Sequence, residues 1–143
     1  MFRKLSEDMM ASPQITLGDV ANAARQGVKL IINNRPDDEE AGQLAGSDIE
    51  AAAKAHDIAY RAIPVGHDGF GESQIKAMGD ALDGAEGKVL AYCRSGTRST
   101  FLWALARAGQ GYDTQELATM ASSAGYDLSP ISPALDMLAV KAK

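Results

Sequence analysis

Val89-Leu-Ala-Tyr92-Cys93-Arg94-Ser95-Gly96-Thr97-Arg98-Ser99-Thr-Phe-Leu-Trp-Ala-Leu-Ala-Arg-Ala108 is the stretch that decides the fold. Its first four residues are an unbroken apolar run, as in a strand buried on both faces of a parallel sheet. From Ser99 to Ala108 the chain is apolar on most sides, as expected of a helix in the middle of a domain. The short turn between them gathers backbone N–H groups at a helix N-terminus, which makes an anion site. Cys93, at the start of that turn, feels the same amides and dipole together with Arg94 and Arg98, all of which favour its ionised form. Gly96 lets the backbone curl around an anion, and Arg98 offers a two-pronged donor to a tetrahedral oxyanion. The hydroxyl of Ser99 would steady the thiolate when it leaves a covalent intermediate. Cys93, Arg98 and Ser99 are therefore expected to be catalytic, with Arg94, Ser95, Gly96 and Thr97 as the anion-binding loop.

Cys93 is the one cysteine, so no internal disulfide and no cysteine-rich zinc site can form. A single cysteine is often an inert small hydrophobe. A strand end followed by two arginines and a glycine is a poor place to bury one, and Cys93 reads as a nucleophile.

The same alternation continues on both sides. Leu17, Val20, Ala21 and Ala24 predict a helix from Leu17 to Gln26, with Thr16 and Asp19 as a capping box and Gly27 as its stop. Val28–Ile32 reads as a buried strand, and the polar stretch Asn33–Glu40 lies at its carboxyl end. Ser47 is expected to cap a helix in which Ile49, Ala52, Ala53 and His56 share a face, with His56 a core residue. Ile58–Val65 suits a strand interrupted by Pro64, and Gly66–Gly71 is a loop. Ile75, Met78, Gly79 and Leu82 give a third helix closed by Gly84. Two helices follow Ala108: one holds Leu117, Met120, Ala121 and Ala124, and the other has Ser132 as cap and Pro133 at its first position. Met78, Met120 and Met137 follow helical spacing and are expected in the core.

Strands alternating with helices, with no repeat or linker, predict an α/β fold: a single domain over residues 1–143 with a mostly parallel central sheet flanked by helices. Ligands of such sheets bind beyond the carboxyl ends of the strands. That rule singles out Asn33–Glu40, where Arg35, Asp37 and Glu40 would flank the pocket, and Gly66–Gly71, where Asp68 beside His67 would be a general acid.

Composition narrows the partners. The 143 residues carry a net charge of -5 at a pI near 4.9, with no run of Lys or Arg, which argues against nucleic acid. No apolar stretch approaches the ~20 residues of a membrane span, and no apolar segment follows the N-terminal cations, so a cytoplasmic protein is expected. Two distant histidines and one cysteine do not compose a metal site, and neither metal nor cofactor is predicted.

Three blocks carry a family resemblance: Ile31-Ile32-Asn33-Asn34-Arg35-Pro36-Asp37 with Glu40; Ile63-Pro64-Val65; and Ala91–Ser99 with Leu102-Trp103-Ala104-Leu105. Together the chain resembles the phosphatase-like domain family of beta-lactamase-hydrolase-like proteins, a bacterial branch related to dual-specificity protein tyrosine phosphatases. The resemblance implies a tyrosine-phosphatase-like fold in which Cys93 attacks, the loop amides and Arg98 hold the anion, and Ser99 assists release. It also places a general acid just beyond the Ile-Pro-Val strand, at Asp68. Two departures matter: Tyr92 stands where phosphatases have histidine, and four residues, Arg94 to Thr97, separate Cys93 from Arg98 where phosphatases have five.

The Cys-x4-Arg loop is similar to that of rhodanese-like sulfurtransferases, in which the cysteine carries a persulfide. The first expectation is therefore sulfur transfer through a Cys93 persulfide, from a persulfide or thiosulfate-like donor to a small-molecule or protein thiol. The alternative is hydrolysis of a phosphoester through a cysteinyl-phosphate, and the third reading is a non-catalytic module that binds an anionic or phosphorylated ligand. Some members of the family are fused to persulfide-oxidising enzymes, which the resemblance implies as a partner.

Overall fold

The computed structural model describes residues 2–143. Five strands, β1 (Arg3–Ser6), β2 (Met9–Ser12), β3 (Val28–Asn33), β4 (Ala59–Ala62) and β5 (Lys88–Tyr92), form one sheet in the order β1-β2-β5-β3-β4. Every pairing is parallel except that of β1 with β2. The helices are α1 (Leu17–Arg25), α2 (Gly46–Ala55), α3 (Glu72–Gly84), α4 (Thr97–Gly109), α5 (Thr114–Ser123) and α6 (Ser132–Ala142), with a 3-10 turn over Ser129–Ile131. The expected α/β class and mostly parallel sheet are what the structure has. The β1–β2 hairpin had no expectation behind it, because strands of four residues, one of them Arg-Lys-Leu-Ser, are too short to display a period.

Period-2 alternation, with one irregularity between Val28 and Leu30, divides the central strands between two cores. On one face Leu30, Ile32, Val89 and Ala91 meet Met78 of α3, Leu102 and Leu105 of α4, Leu117 of α5 and Leu135 of α6. On the other, Val28, Ile31, Leu90 and Tyr92 meet Val20 and Ala23 of α1 and Ile49 and Ala53 of α2. Burying each large aliphatic side chain stabilises the fold by about 1.5–3 kcal/mol, so both faces hold the register in which Asn33 lies beside Tyr92. The helix after β3 thus covers one face and the helix after β5 the other. Adjacent strands whose connections leave on opposite faces open a crevice at their carboxyl ends, which puts the segments after Asn33 and after Tyr92 side by side.

Several local expectations are corrected. Thr16 and Asp19 do cap α1 reciprocally, at 2.9 and 3.1 Å. Ser47, however, does not cap α2: the helix starts at Gly46, whose N–H donates to Asp37 Oδ1 at 2.9 Å. A Cβ at position 46 would come within 2.8 Å of both Asn33 Nδ2 and Tyr60 Oη, so glycine lets this helix end sit tight on the sheet. His56 is the exposed C-terminal cap of α2 rather than a core residue, since the helix ends at Ala55 and its last turn, Lys54 to Asp57, is exposed. Met78 is fully buried, but Met120 is only partly so and Met137 is 60% exposed on the outer side of α6. Ser132 is the first residue of α6, preceded by Ile131 in the cap position. Among the described residues no helix is long and apolar enough to cross a membrane.

Candidate active site

β5 hands the chain to α4 through Cys93-Arg94-Ser95-Gly96, and this turn is braced from the neighbouring strand. The Cys93 N–H donates to the Ser12 carbonyl at 3.3 Å and the Gln14 N–H to the Arg94 carbonyl at 3.2 Å, extending the β2–β5 ladder. Gly96 sits at φ +94° immediately before the helix, a left-handed position that favours glycine. A Cβ there would overlap the Tyr126 hydroxyl and meet the Ser12 carbonyl carbon at 3.3 Å, so close packing excludes a side chain as well.

Cys93 is fully buried, and its sulfur accepts the Gly96 N–H at 3.1 Å. Among the described residues, the N–H groups of Arg94, Ser95, Arg98 and Ser99 have no protein acceptor, and that of Thr97 reaches only Ser95 Oγ at 3.4 Å. Amides at the first turn of a helix point outward along its axis, so this end of α4 is a positive, donor-rich cradle around the sulfur. Arg94, Ser95, Gly96 and Thr97, the predicted anion-binding loop, are the residues of this turn and of the first helical position.

Arg98 donates through Nη1 and Nη2 to the two carboxylate oxygens of Glu39, at 2.7 and 2.8 Å, and through Nη1 to the Val65 carbonyl at 2.7 Å. A guanidinium has five N–H donors in a fixed fork. With three engaged, the Nε–H and the second Nη2–H remain, forming the edge beside the one that Glu39 occupies. The Arg98 pKa is raised, first by the Glu39 hydrogen bond, against the opposing effect of desolvation, and further by the nearby Cys93 sulfur. One arginine therefore joins three elements and still has a two-donor edge for an oxyanion.

Glu39 is shared. Its Oε1 also accepts from Nε of Arg35 at 3.0 Å, and Arg35, only 4% exposed, reaches Gln14 Oε1 at 3.0 Å and Glu40 Oε1 at 3.1 Å. Arg94 reaches the other Glu40 oxygen at 3.3 Å, although both side chains are largely exposed and the pair contributes little. The Arg98 hydrogen bond, opposed by desolvation and aided by Arg35, pushes the Glu39 carboxyl down to about 2. A depressed carboxylate contributes stability above its ordinary value near 4.5 and loses that contribution as pH falls through about 2. Side-chain 13C titration of Glu39 is accordingly expected to give a midpoint near 2, with the fork intact at pH ~4. A midpoint at the ordinary carboxylate value would contradict this geometry.

The structure links Glu40 to the Cys93 loop through Arg94 and places Arg35 behind it on Gln14, Glu39 and Glu40, whereas Asp37 is committed to the start of α2. Ser99 differs from its predicted role. Its buried hydroxyl donates to Asn34 Oδ1 at 2.7 Å, and since Asn34 Nδ2 donates to the Ile63 carbonyl, the amide oxygen must be the acceptor. The one hydroxyl proton is therefore not on the sulfur. His67 and Asp68 lie exposed on the loop that follows Val65, the residue whose carbonyl Arg98 holds.

Three site residues were not singled out by the sequence. Asn34 is fully buried and ties β5 to the β4 extension: its N–H donates to the Tyr92 carbonyl at 2.8 Å and its carbonyl accepts from Val65 at 3.0 Å. Glu39 was indistinguishable from the adjacent Glu40. Tyr126, beyond α5, donates its hydroxyl to the Ser95 carbonyl at 3.1 Å.

A model of the family described as "Beta-lactamase hydrolase-like protein, phosphatase-like domain" matches residues 1–110. The chain is 35% identical over 125 residues, 87% of its length, to the beta-lactamase hydrolase-like protein of Xylella fastidiosa strain Temecula1, of which it spans 29%. Among solved structures, one from Neisseria meningitidis described as a candidate phosphatase is 34% identical, with a TM-score of 0.83 over 95% of this chain and 96% of that one. The Pseudomonas aeruginosa protein TpbA, solved with bound phosphotyrosine, is 20% identical with a TM-score of 0.67 over 99% and 89%, a likeness of fold.

Proposed function

This chain belongs to the phosphatase-like domain family of beta-lactamase hydrolase-like proteins, and from that premise we propose that it is a cysteine-dependent phosphatase-like hydrolase of phosphate monoesters. The observation that carries the reading is a buried thiol accepting an amide at the N-terminus of α4, with the Arg98 guanidinium near enough for the sulfur to raise its pKa. In this reading Cys93 attacks phosphorus in line with the leaving oxygen and forms a cysteinyl-phosphate, and water then releases inorganic phosphate. The loop amides and Arg98 neutralise charge on the transferring oxygens. Asp68 protonates the leaving group from the loop anchored by the Arg98–Val65 contact. Arg35 and Glu40 support the loop from behind. Ser99, through Asn34, holds the start of α4 in place instead of touching the sulfur. The substrate resembles phosphotyrosine, the ligand of TpbA, in being a small aryl phosphate.

The comparisons favour this phosphoester reading over sulfur transfer, the first expectation from the sequence. One observation still favours a persulfide: only four residues separate Cys93 from Arg98, and a tighter ring of amides suits one terminal sulfur better than three oxygens. A single experiment separates the two. Purified protein is mixed with an aryl phosphate or with thiosulfate, quenched in acid and examined by mass spectrometry at Cys93. A trapped phosphoryl group, with less of it formed from poor leaving groups in Asp68→Asn, is the expected result. A trapped sulfur atom without any phosphoryl adduct or turnover would overturn the phosphatase reading.

A further inference from the structure

We propose that Tyr126 is a positioning residue for the nucleophile: by holding the Ser95 carbonyl, its hydroxyl fixes the Ser95–Gly96 peptide so that the Gly96 N–H stays on the Cys93 sulfur. This rests on Cys93 being the reacting group, whichever ester or sulfur compound it attacks. The C=O and N–H of a trans peptide point in opposite directions. Here the C=O accepts from Tyr126 Oη at 3.1 Å and the N–H donates to Cys93 Sγ at 3.1 Å, so the two hydrogen bonds are the two ends of one rigid unit.

That unit needs an external hold. Rotating the Ser95–Gly96 peptide changes φ of Gly96, and glycine occupies positive and negative φ with similar ease, so the residue that makes the turn possible also leaves the peptide free to flip. A flip would replace an amide proton beside the sulfur with a carbonyl oxygen. Tyr126 blocks this from a fixed base. Its N–H donates to the Ala121 carbonyl at 2.8 Å, Arg3 lies over its ring at 5.4 Å, and Arg3 Nη1 donates to the Ala124 carbonyl at 2.9 Å. Burial raises the phenol pKa, Arg3 opposes this, and Cys93 adds to the rise, so the hydroxyl stays protonated and able to donate. Tyr126 lies beyond residues 1–110, the part matched to the family, so family membership does not supply this contact.

The charged groups near the thiol are Arg98 from α4, with Glu39 behind it, and Arg94 in the loop; Tyr126 approaches from beyond α5 with Arg3 of β1 over its ring, and the Ser12–Gln14 segment brings no charge. Tyr126→Phe leaves all of these and removes one hydroxyl. The test is the rate of Cys93 alkylation by iodoacetamide across pH, with a thermal melt to report folding. At pH ~6.5 the variant is expected to react about three- to tenfold more slowly than the parent, and equally fast at pH ~10, as for loss of one hydrogen bond acting on the thiolate alone. Superimposable profiles from a folded variant would overturn the proposal.

A second measurement covers a variant that does not fold. With tyrosine labelled at 13Cζ, the phenol of Tyr126 in Cys93→Ser is expected to titrate at lower pH than in the parent, because linkage is reciprocal. An unchanged titration would overturn the proposal. Neither readout uses a phosphate ester, so absence of phosphatase turnover would sink the proposed function without touching this inference.

Discussion

Cys93→Ser is expected to lose aryl-phosphate turnover by about four orders of magnitude or more, the scale seen when a covalent nucleophile is removed. The hydroxyl would occupy the place of the sulfur at the end of β5 and accept the same Gly96 N–H, so the buried oxygen has a partner and the fold is not expected to suffer. It would not ionise there as a thiol can, and the step that opens the ester is lost. The cradle itself survives, because the free amides and Arg98 do not depend on sulfur. Inorganic phosphate, titrated calorimetrically, is expected to bind Cys93→Ser about as tightly as the parent. Turnover within tenfold of the parent would mean that phosphate hydrolysis does not pass through Cys93.

Arg98→Lys is expected to lower kcat by about two to three orders of magnitude, in the range for removing a preorganised donor to a developing oxyanion. In the proposed mechanism Arg98 performs two tasks at once: three of its donors hold Glu39 and the Val65 carbonyl, and the remaining two are free for the phosphate. A lysine ammonium is a single point of charge and cannot present one edge to Glu39 while presenting another to a phosphate. It would settle on the nearest carboxylate, leaving the transferring group short of two donors. KM for the aryl phosphate is expected to rise as well, since the ground-state dianion uses the same edge. The Arg98 and Glu39 side chains are 23% and 26% exposed, so urea denaturation should register a much smaller change than the kinetics. A kcat within about threefold of the parent would remove Arg98 from the chemistry.

Much of this was legible in the chain. Val89–Tyr92 is an unbroken apolar run and Val28–Ile32 is interrupted only by the exposed Lys29, because these strands are buried on both faces of the sheet, and that pattern survives without tertiary information. Local chemistry was equally readable: Thr16 and Asp19 are neighbours in sequence, so their capping box depends on nothing else. Cys93, Gly96 and Arg98 were visible for the same reason, since a turn into a helix brings its own residues together.

What could not be read involves partners far apart in the chain. Asn34 and Ser99 are 65 residues apart, Glu39 and Arg98 are 59 apart, and Ser95 and Tyr126 are 31 apart. Ser99 was assigned to the sulfur because sequence offers only near neighbours as acceptors, and Ser47 was assigned as a cap although Asp37, nine residues before Gly46, supplies the oxygen. The sequence by itself determined the α/β class and the thiol in its loop, because burial periodicity and turn geometry act over a few residues. Only the tertiary structure decided that Glu39 rather than Glu40 orients Arg98, that Asn34 takes the Ser99 proton, and that Tyr126 pins the peptide under Cys93. A hydrogen bond is made or missed within a few tenths of an ångström, and distances of that size between remote residues are set only when the strands register and the helices pack.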